Sequence, residues 1–501
     1  MKTILYALSI VLFLCAGCKK DNFEISADNA LLSFSFKAES NPEIVLSDIT
    51  CEISDTLIIG VQGADKDRTA LIANFTTSGV VVLVNGVPQE PGVTANDFTN
   101  PVTYTVMAAD GSARVYVVKL KAFTAIPALY ITTSAPVASK DEYVTGTMRV
   151  DGNMEYTEGL YNGPIEIRGR GNSTWFQPKK PYKIKLGTKS KLLGMPADKE
   201  WALLANYFDK SLLRNKVGFE ISSRFNMKYT PRSRFVEVFM NGEYLGNYLL
   251  CETIKVSSDR LNIKEMDLKN PNDSTGGFLT QVDQRQDGAI TWRTNRDVPF
   301  VMESFDEMPA ANLQYVKNYI QRVEDKIYSY NFDPTTGYAA ELDIDRFVDW
   351  YLTNELMATN DAVFYSSVYM YKERNGKLSM GPCWDMDLSS GNVYYGHVSP
   401  IGWTLNGSSW IFMMIRDVNF NAKLKTRWKQ LRPNILSIPQ YITDQANYLK
   451  YSQVENYTKW DVLGTWINPN QVVTGSYDGE VNYFKDWIQK RIQWMDAEIN
   501  K

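Results

Sequence analysis

Histidine is nearly absent from this sequence: a single residue, His397, carries an imidazole. A Ser-His-Asp relay could draw on that residue alone, and a metal site built from several histidines is excluded. Any chemistry must therefore rest mainly on carboxylates, amides, hydroxyls and lysines. Cysteine is scarce as well. Beyond Gly17 only Cys18, Cys51, Cys251 and Cys383 remain, and no two of them form a Cys-x-x-Cys pair. That pattern is neither a zinc ribbon nor a disulfide scaffold, and it suits buried small apolar side chains. A basic excess is missing too. The formal net charge is −4, which gives no support to a nucleic-acid partner, and none is expected. The apolar run Ile4–Leu14 at the start of the chain is too short to stay in a bilayer as a spanning helix.

What is present is a chain of 501 residues, too long for one ordinary core, so two or three domains are expected. Tryptophan and tyrosine are abundant, at 12 and 29 residues. Aromatic platforms bind sugars and bases, but packing in large cores is the commoner use and is the one expected here. Lys2, the apolar run and then Cys15-Ala16-Gly17-Cys18 read as a secretory signal. Small residues just before a cysteine resemble a lipobox, with Cys18 as the lipidated first residue of the mature chain. Cys15 stands where leucine is typical, and Leu14 sits one place further back. A polar tether begins at Lys19 and runs to residue 30. The expected location is outside the cytoplasm, on a membrane through the lipid anchor: a lipoprotein of the outer membrane, periplasmic or at the cell surface.

Residues 31–124 read as all-β. "TLIIGVQG" (56–63), "ALIANFTTSG" (70–79), "VVVLVNG" (80–86), "VTYTVMAADGS" (102–112) and "RVYVVKLKAF" (114–123) are short strands. Asn85-Gly86 and Asp110-Gly111 are hairpin-turn dipeptides. Strands at this spacing predict a β-sandwich. The stretch "VNGVPQEPGVTANDFTNPVTYTVMAADGS" resembles the small Ig-like modules that precede catalytic domains in Bacteroidetes surface lipoproteins. It holds no cluster of ionisable residues that suggests chemistry, so a spacer or binding module is expected.

From Ala125 to residue 501 the pattern is mixed α and β. "PIEIRGRGNSTWFQPKKPYKIKLG" (164–187) reads as strand, glycine-containing loop, strand, with Tyr182, Ile184 and Leu186 on one face and Lys183 and Lys185 on the other. Asp209 suits the cap of a helix over 210–225. "RFVEVFMNGEYLGNYLLCETIKV" (234–256) is a hairpin around Asn241-Gly242. "DIDRFVDWYLTNELMA" (343–358) is a helix capped by Asp343, and 421–436 and 480–499 are amphipathic helices.

Three constellations could carry chemistry. In "RGRGNST" (168–174), Gly169 and Gly171 let backbone approach a phosphate and the arginines supply charge, although such a loop is more often a plain turn. In "KKPYKIKL", a strand lysine facing a cleft could pair phosphate oxygens; a solvated lysine row is the plainer reading. The third is sharper. Asn360 and Asp361 end a helix pattern, and Asp385 and Asp387 follow in "GPCWDMDLSSGN" after an apparent hairpin. On a strand, residues two apart share a face. Paired carboxylates before a Ser-Ser-Gly loop suit Mg²⁺ or Mn²⁺ on a nucleotide better than they suit a loop cap, because buried carboxylates are costly without a cation.

These motifs, with "DKSLLRN", "VEVFMNGEYLGNYLLCE" and "TND", occur in the order seen in the CotH kinase family, which the chain resembles over roughly residues 128–498. The resemblance implies an α+β fold: a divergent two-lobed kinase-like domain, here preceded by the small all-β Ig-like sandwich. It implies an atypical kinase that transfers the γ-phosphate of ATP, with Mg²⁺ or Mn²⁺, to serine or threonine of a protein substrate. Asp361 falls at the catalytic aspartate. Asp385 falls at the metal-binding aspartate, with Asp387 beside it. Lys183 or Lys185 falls at the phosphate-pairing lysine, Arg170 and Asn172 lie in the loop over the nucleotide, and Glu252 or Glu220 would be the lysine's acidic partner. Many members carry an asparagine in the strand after the catalytic aspartate, where this chain reads Ser366-Ser367-Val368-Tyr369, and serine is a weaker metal ligand. Two other outcomes stay open: a surface binding or adhesion lipoprotein on an inactive kinase-like scaffold, and transfer of another group, such as AMP, from a nucleotide.

Overall fold

The alternation of apolar and polar residues sets the architecture. A computed structural model describes residues 26–42, 44–45, 48–62, 67–270 and 275–501. Cys18, the apolar leader and most of the tether lie outside the described residues. The chain divides into two units at Leu120/Lys121.

The smaller unit is all-β. One sheet pairs 31–36 with 49–50 and 74–77; the other runs in the order 52–54, 57–62, 113–122, 102–107, 81–84, 87–88. A single aromatic core lies between them, with Phe34 edge-on to Tyr104 at 5.1 Å and Phe36 edge-on to Phe98 at 4.9 Å. Asn85 and Gly86 take φ of 49° and 79°, the left-handed pair that a two-residue hairpin needs.

The larger unit is mixed α and β. Seven strands close into a barrel in the order 128–133, 144–151, 162–169, 182–192, 195–204, 243–252, 233–240, and a parallel pairing of the last onto the first completes it. Tyr182, Ile184 and Leu186 point into this barrel against Ile165, Ile167, Trp201 and Leu203. Strand parity leaves Lys183 and Lys185 outside. The 233–240/243–252 hairpin turns at Asn241 and Gly242, as its sequence predicts.

Beyond the barrel an antiparallel sheet runs in the order 291–293, 299–302, 278–282, 368–372, 378–380. It packs with helices α1 (Arg214–Arg224), α2 (Ala310–Tyr328) and α3 (Ile344–Met357) around one large core. α3 is buried almost all round from Phe347 to Met357, so it is a core helix rather than a surface one. Its Asp343 carboxylate accepts the Arg346 N–H at 3.3 Å. α1 starts four residues later than its sequence pattern suggests, because 210–213 form a turn folded around the Asp209 carboxylate. Cys51, Cys251 and Cys383 are free and buried, and burial pushes each thiol up to about 12, so they act as small apolar side chains. Among the described residues no helix is long and apolar enough to cross a membrane.

Candidate functional site

A cavity of about 1540 Å³ in the larger unit is lined by Arg170, Asn172, Lys183, Asp361, Asp385 and Asp387. The barrel supplies its cationic wall. The loop after strand 162–169 turns at Gly171, whose φ is +81°, and a Cβ there would come within 2.2 Å of the Thr174 hydroxyl. Only glycine fits. The space at Gly169 is filled by the Trp175 ring, so that glycine serves loop packing rather than a phosphate. The Arg170 guanidinium lies 5.5 Å from the centre of the Trp384 ring. The Asn172 side-chain oxygen accepts from the Lys140 ammonium at 3.5 Å.

The two strand lysines part company. Lys183 lines the cavity and pairs with Glu200 at 3.0 Å on the neighbouring strand. Burial opposes the Glu200 charge, but the Lys183 ammonium outweighs it and holds the carboxyl below its usual range. Lys185 pairs with Glu166 at 3.2 Å and is not among the lining residues. Neither expected acidic partner meets a strand lysine. Glu252 is registered opposite Trp201, so its parity is that of the barrel interior, and its carboxylate accepts from Tyr229 and Arg232. Glu220 pairs with Arg224 one turn along α1. Glu200, which belongs to no recognisable motif, is the carboxylate that Lys183 meets instead.

The acidic wall begins where α3 stops. Ala358 adopts the left-handed conformation, and Asn360–Ala362 add one tight turn that carries Asp361 into the cavity. Burial and then the Asp385 charge push Asp361 up to about 7, against the opposing pull of Arg285. Asp385 and Asp387 do not share a strand face. Strand 378–380 ends before Gly381-Pro382, and Asp385 has a φ of 62° in the loop beyond. Both nonetheless line the cavity. Asp387 is buried and raised well above the carboxylate range by burial, by Asp385 and by Asp209. The Ser367 hydroxyl lies 3.5 Å from Asp385.

The acidic loop is backed by the "DKSLLRN" segment. Arg214 and Asp209 form a fully buried ion pair at 2.6 Å. The same guanidinium donates to the carbonyls of Ser389 and Ser390 at 3.2 and 3.5 Å, and Asn215 accepts the Met386 N–H at 2.8 Å. Those contacts fix the backbone on both sides of Asp387. On the other flank Asn360 accepts the His397 backbone N–H at 2.7 Å, an approach that needs Gly396, where a Cβ would meet the Asn360 oxygen at 2.2 Å. The one histidine thus lines the cavity but is tied in through its backbone. Arg285 and Glu303 also line the cavity and belong to no motif in the sequence. Burial pushes Glu303 up to about 7.

The donor set bears on which cation could sit here. Among the described residues no group of three acidic, histidine or cysteine side chains forms a ready-made metal cage. Asp385 and Asp387, in one cavity with Arg170 and Lys183, instead suit Mg²⁺ or Mn²⁺ carried on a nucleotide. Such ions use one or two protein carboxylates and complete their shell with phosphate oxygens and water.

A family profile described as CotH kinase protein matches residues 167–495, well over half of the chain. One described as SGBP, N-terminal, matches residues 33–120. No curated protein matches the chain. Among solved structures, a candidate glycoside hydrolase from Bacteroides thetaiotaomicron is 18% identical, with 34% of this chain and 54% of that one covered and a TM-score of 0.16. The chain therefore spans about half the length of that protein. A candidate secreted protein from Bacteroides fragilis is also 18% identical, over 20% of this chain and 96% of the other, with a TM-score of 0.14. Neither superposes closely enough to inform the site.

Proposed function

This chain belongs to the CotH kinase protein family, and from that premise we propose that its cavity transfers the γ-phosphoryl group of ATP to a serine or threonine hydroxyl of a protein substrate. The barrel and the sheet-and-helix region are, on this reading, the two lobes of a divergent kinase-like fold. One observation carries it: a single cavity sets Arg170 and Lys183 against Asp361, Asp385 and Asp387, which lie some 200 residues further along the chain. Lys183, steadied by Glu200, would pair phosphate oxygens, and Arg170 and Asn172 would cover them. Asp361 would orient the acceptor hydroxyl and take its proton; a carboxyl raised to about 7 is matched to that task near neutral pH. Asp385 and Asp387 would hold a divalent cation, which when bound neutralises charge on the phosphates.

The test is incubation of the soluble mature protein with γ-labelled ATP, Mg²⁺ or Mn²⁺ and serine-containing protein, read by mass spectrometry. The added mass separates phosphoryl from nucleotidyl transfer. No adduct on any acceptor would leave the second reading, a surface binding scaffold. A feature that favours it is the stretch Ser366-Ser367-Val368-Tyr369, where many relatives carry an asparagine; of these the Ser367 hydroxyl lies 3.5 Å from Asp385. We further infer anchoring through an acylated Cys18; equal fatty-acid labelling of the parent and Cys18→Ser would rule that out.

The raised carboxyls give a pH signature. Asp361 binds its proton more tightly folded, at about 7, than at its ordinary value of 3.8, and Asp387 shifts the same way. Between those values the folded state holds more protons than the unfolded state, so these groups contribute less stability as pH rises through the window. A cation bound at the deprotonated pair removes the repulsion. Mn²⁺ is therefore expected to raise the thermal midpoint more at about pH 8 than at about pH 5. A metal-induced shift that is equal at both, measured by differential scanning fluorimetry, would contradict a cation at these carboxylates.

A further inference from the structure

Between Gln281 and Thr404 the cavity wall carries six carboxylates and one arginine, Arg285. It sits in the loop after strand 278–282, where its backbone N–H donates to the Asp283 carboxylate at 2.9 Å. One guanidinium nitrogen donates to the Ser366 hydroxyl at 3.1 Å, and the same nitrogen lies 3.9 Å from Asp283, too far for a hydrogen bond. Among the described residues the rest of its N–H donors have no protein partner. About a third of the side chain is open to solvent in the cavity. The guanidinium is near enough to Asp361 to oppose the repulsion from Asp385.

A lone arginine among carboxylates could be no more than a counter-charge. Two features point further. Its guanidinium stays 3.9 Å from Asp283 with no bidentate contact, which is poor geometry for a purpose-built ion pair. Its forked donors are left unspent, and the guanidinium acts on Asp361 in the acidic wall. A planar fork of this kind matches phosphoryl oxygens.

We propose that Arg285 is a catalytic residue of the transfer reaction, its free guanidinium N–H groups holding the oxygens of the phosphoryl group as it passes to the acceptor beside Asp361. The proposal rests on the phosphoryl-transfer reading above. In that step the acceptor oxygen bonds to the γ-phosphorus, the bond from that phosphorus to the bridging oxygen breaks, and the nucleoside diphosphate leaves with the electron pair. The acceptor proton goes to the Asp361 carboxylate. Negative charge shifts across the phosphoryl oxygens during this exchange, and a fixed guanidinium there acts on the transition state more than on bound ATP.

Steady-state kinetics of full-length Arg285→Ala and Arg285→Lys test it. An arginine that holds the transferring phosphoryl group can contribute about 10³-fold or more to kcat, so Arg285→Ala is expected to lose about that factor while KM for ATP changes by less than about threefold. Arg285→Lys keeps the charge without the fork and is expected to recover no more than about tenfold. Free guanidinium ion at low millimolar concentration is expected to restore part of the activity of Arg285→Ala and none of that of Asp361→Ala. Thermal midpoints should match the parent, since the side chain makes one hydroxyl contact. Full recovery by lysine would reduce Arg285 to a counter-charge and overturn the proposal. So would an active parent whose Arg285→Ala variant keeps its kcat within about threefold. A parent that transfers nothing would overturn the phosphoryl-transfer reading itself, and this proposal with it.

Discussion

Asp385→Ala is expected to abolish metal-dependent nucleotide binding, whereas Asp361→Ala leaves that binding within about threefold and lowers transfer by about 10²–10⁴-fold. The difference follows from charge and placement. Nucleotide phosphates and a carboxylate repel each other unless a cation lies between them. Asp385 is exposed in the cavity, in a left-handed loop conformation that presents it, and buried Asp387 stands two residues on. Removing Asp385 takes away the accessible half of the pair, and a strongly hydrated ion such as Mg²⁺ has little else to bridge it to the protein. Asp361 has another task. It needs to act only as the new oxygen–phosphorus bond forms, so its loss falls on the transition state rather than on ground-state affinity. Calorimetric titration of ATP in the presence of Mn²⁺, beside a transfer assay on the same samples, separates the two. If both variants bind the metal–nucleotide like the parent and the parent transfers nothing, the catalytic assignment fails and the binding scaffold takes its place.

How far the sequence reaches can be seen residue by residue. Strand parity put Tyr182, Ile184 and Leu186 inside and both lysines outside, and the barrel has them so. Parity could not choose between Lys183 and Lys185, because that choice depends on where the curving barrel wall leaves the cavity, a tertiary matter. The same limit hides the lysine's partner. The resemblance points to Glu252 or Glu220, but register puts Glu252 opposite Trp201, while Glu200 sits on the outer face one residue away. A signal against a strand through Asp385 and Asp387 is visible in the sequence: Gly381-Pro382 ends the ladder, since proline cannot donate to it. Arg285 had no signal at all. "QVDQRQDG" is an ordinary loop, and only the fold brings it to Asp361.

The "DKSLLRN" segment helps to mark the family by its order in the chain, but its purpose becomes plain only in three dimensions. Arg214→Leu is expected to destabilise the larger unit by about 3–5 kcal/mol, the usual consequence of leaving one partner of a buried ion pair alone. Asp209 and Arg214 have no exposed side-chain surface. Without the guanidinium, Asp209 keeps only the Ser211 hydroxyl and backbone N–H donors. The Ser389 and Ser390 carbonyls lose a donor as well. The double change Asp209→Asn with Arg214→Met is expected to recover part of the loss, because it removes the orphaned charge. It cannot restore the contacts to Ser389 and Ser390, so the loop that carries Asp385 and Asp387 should stay loose. Nucleotide affinity in Mn²⁺ should therefore remain below that of the parent even where the double variant is fully folded. All 12 tryptophans lie in the larger unit, at Trp175 and beyond, so urea unfolding followed by tryptophan fluorescence reports that unit alone. An Arg214→Leu loss below about 1 kcal/mol would mean that the pair is dispensable. A double variant with parental nucleotide affinity would mean that the acidic loop holds its shape without it.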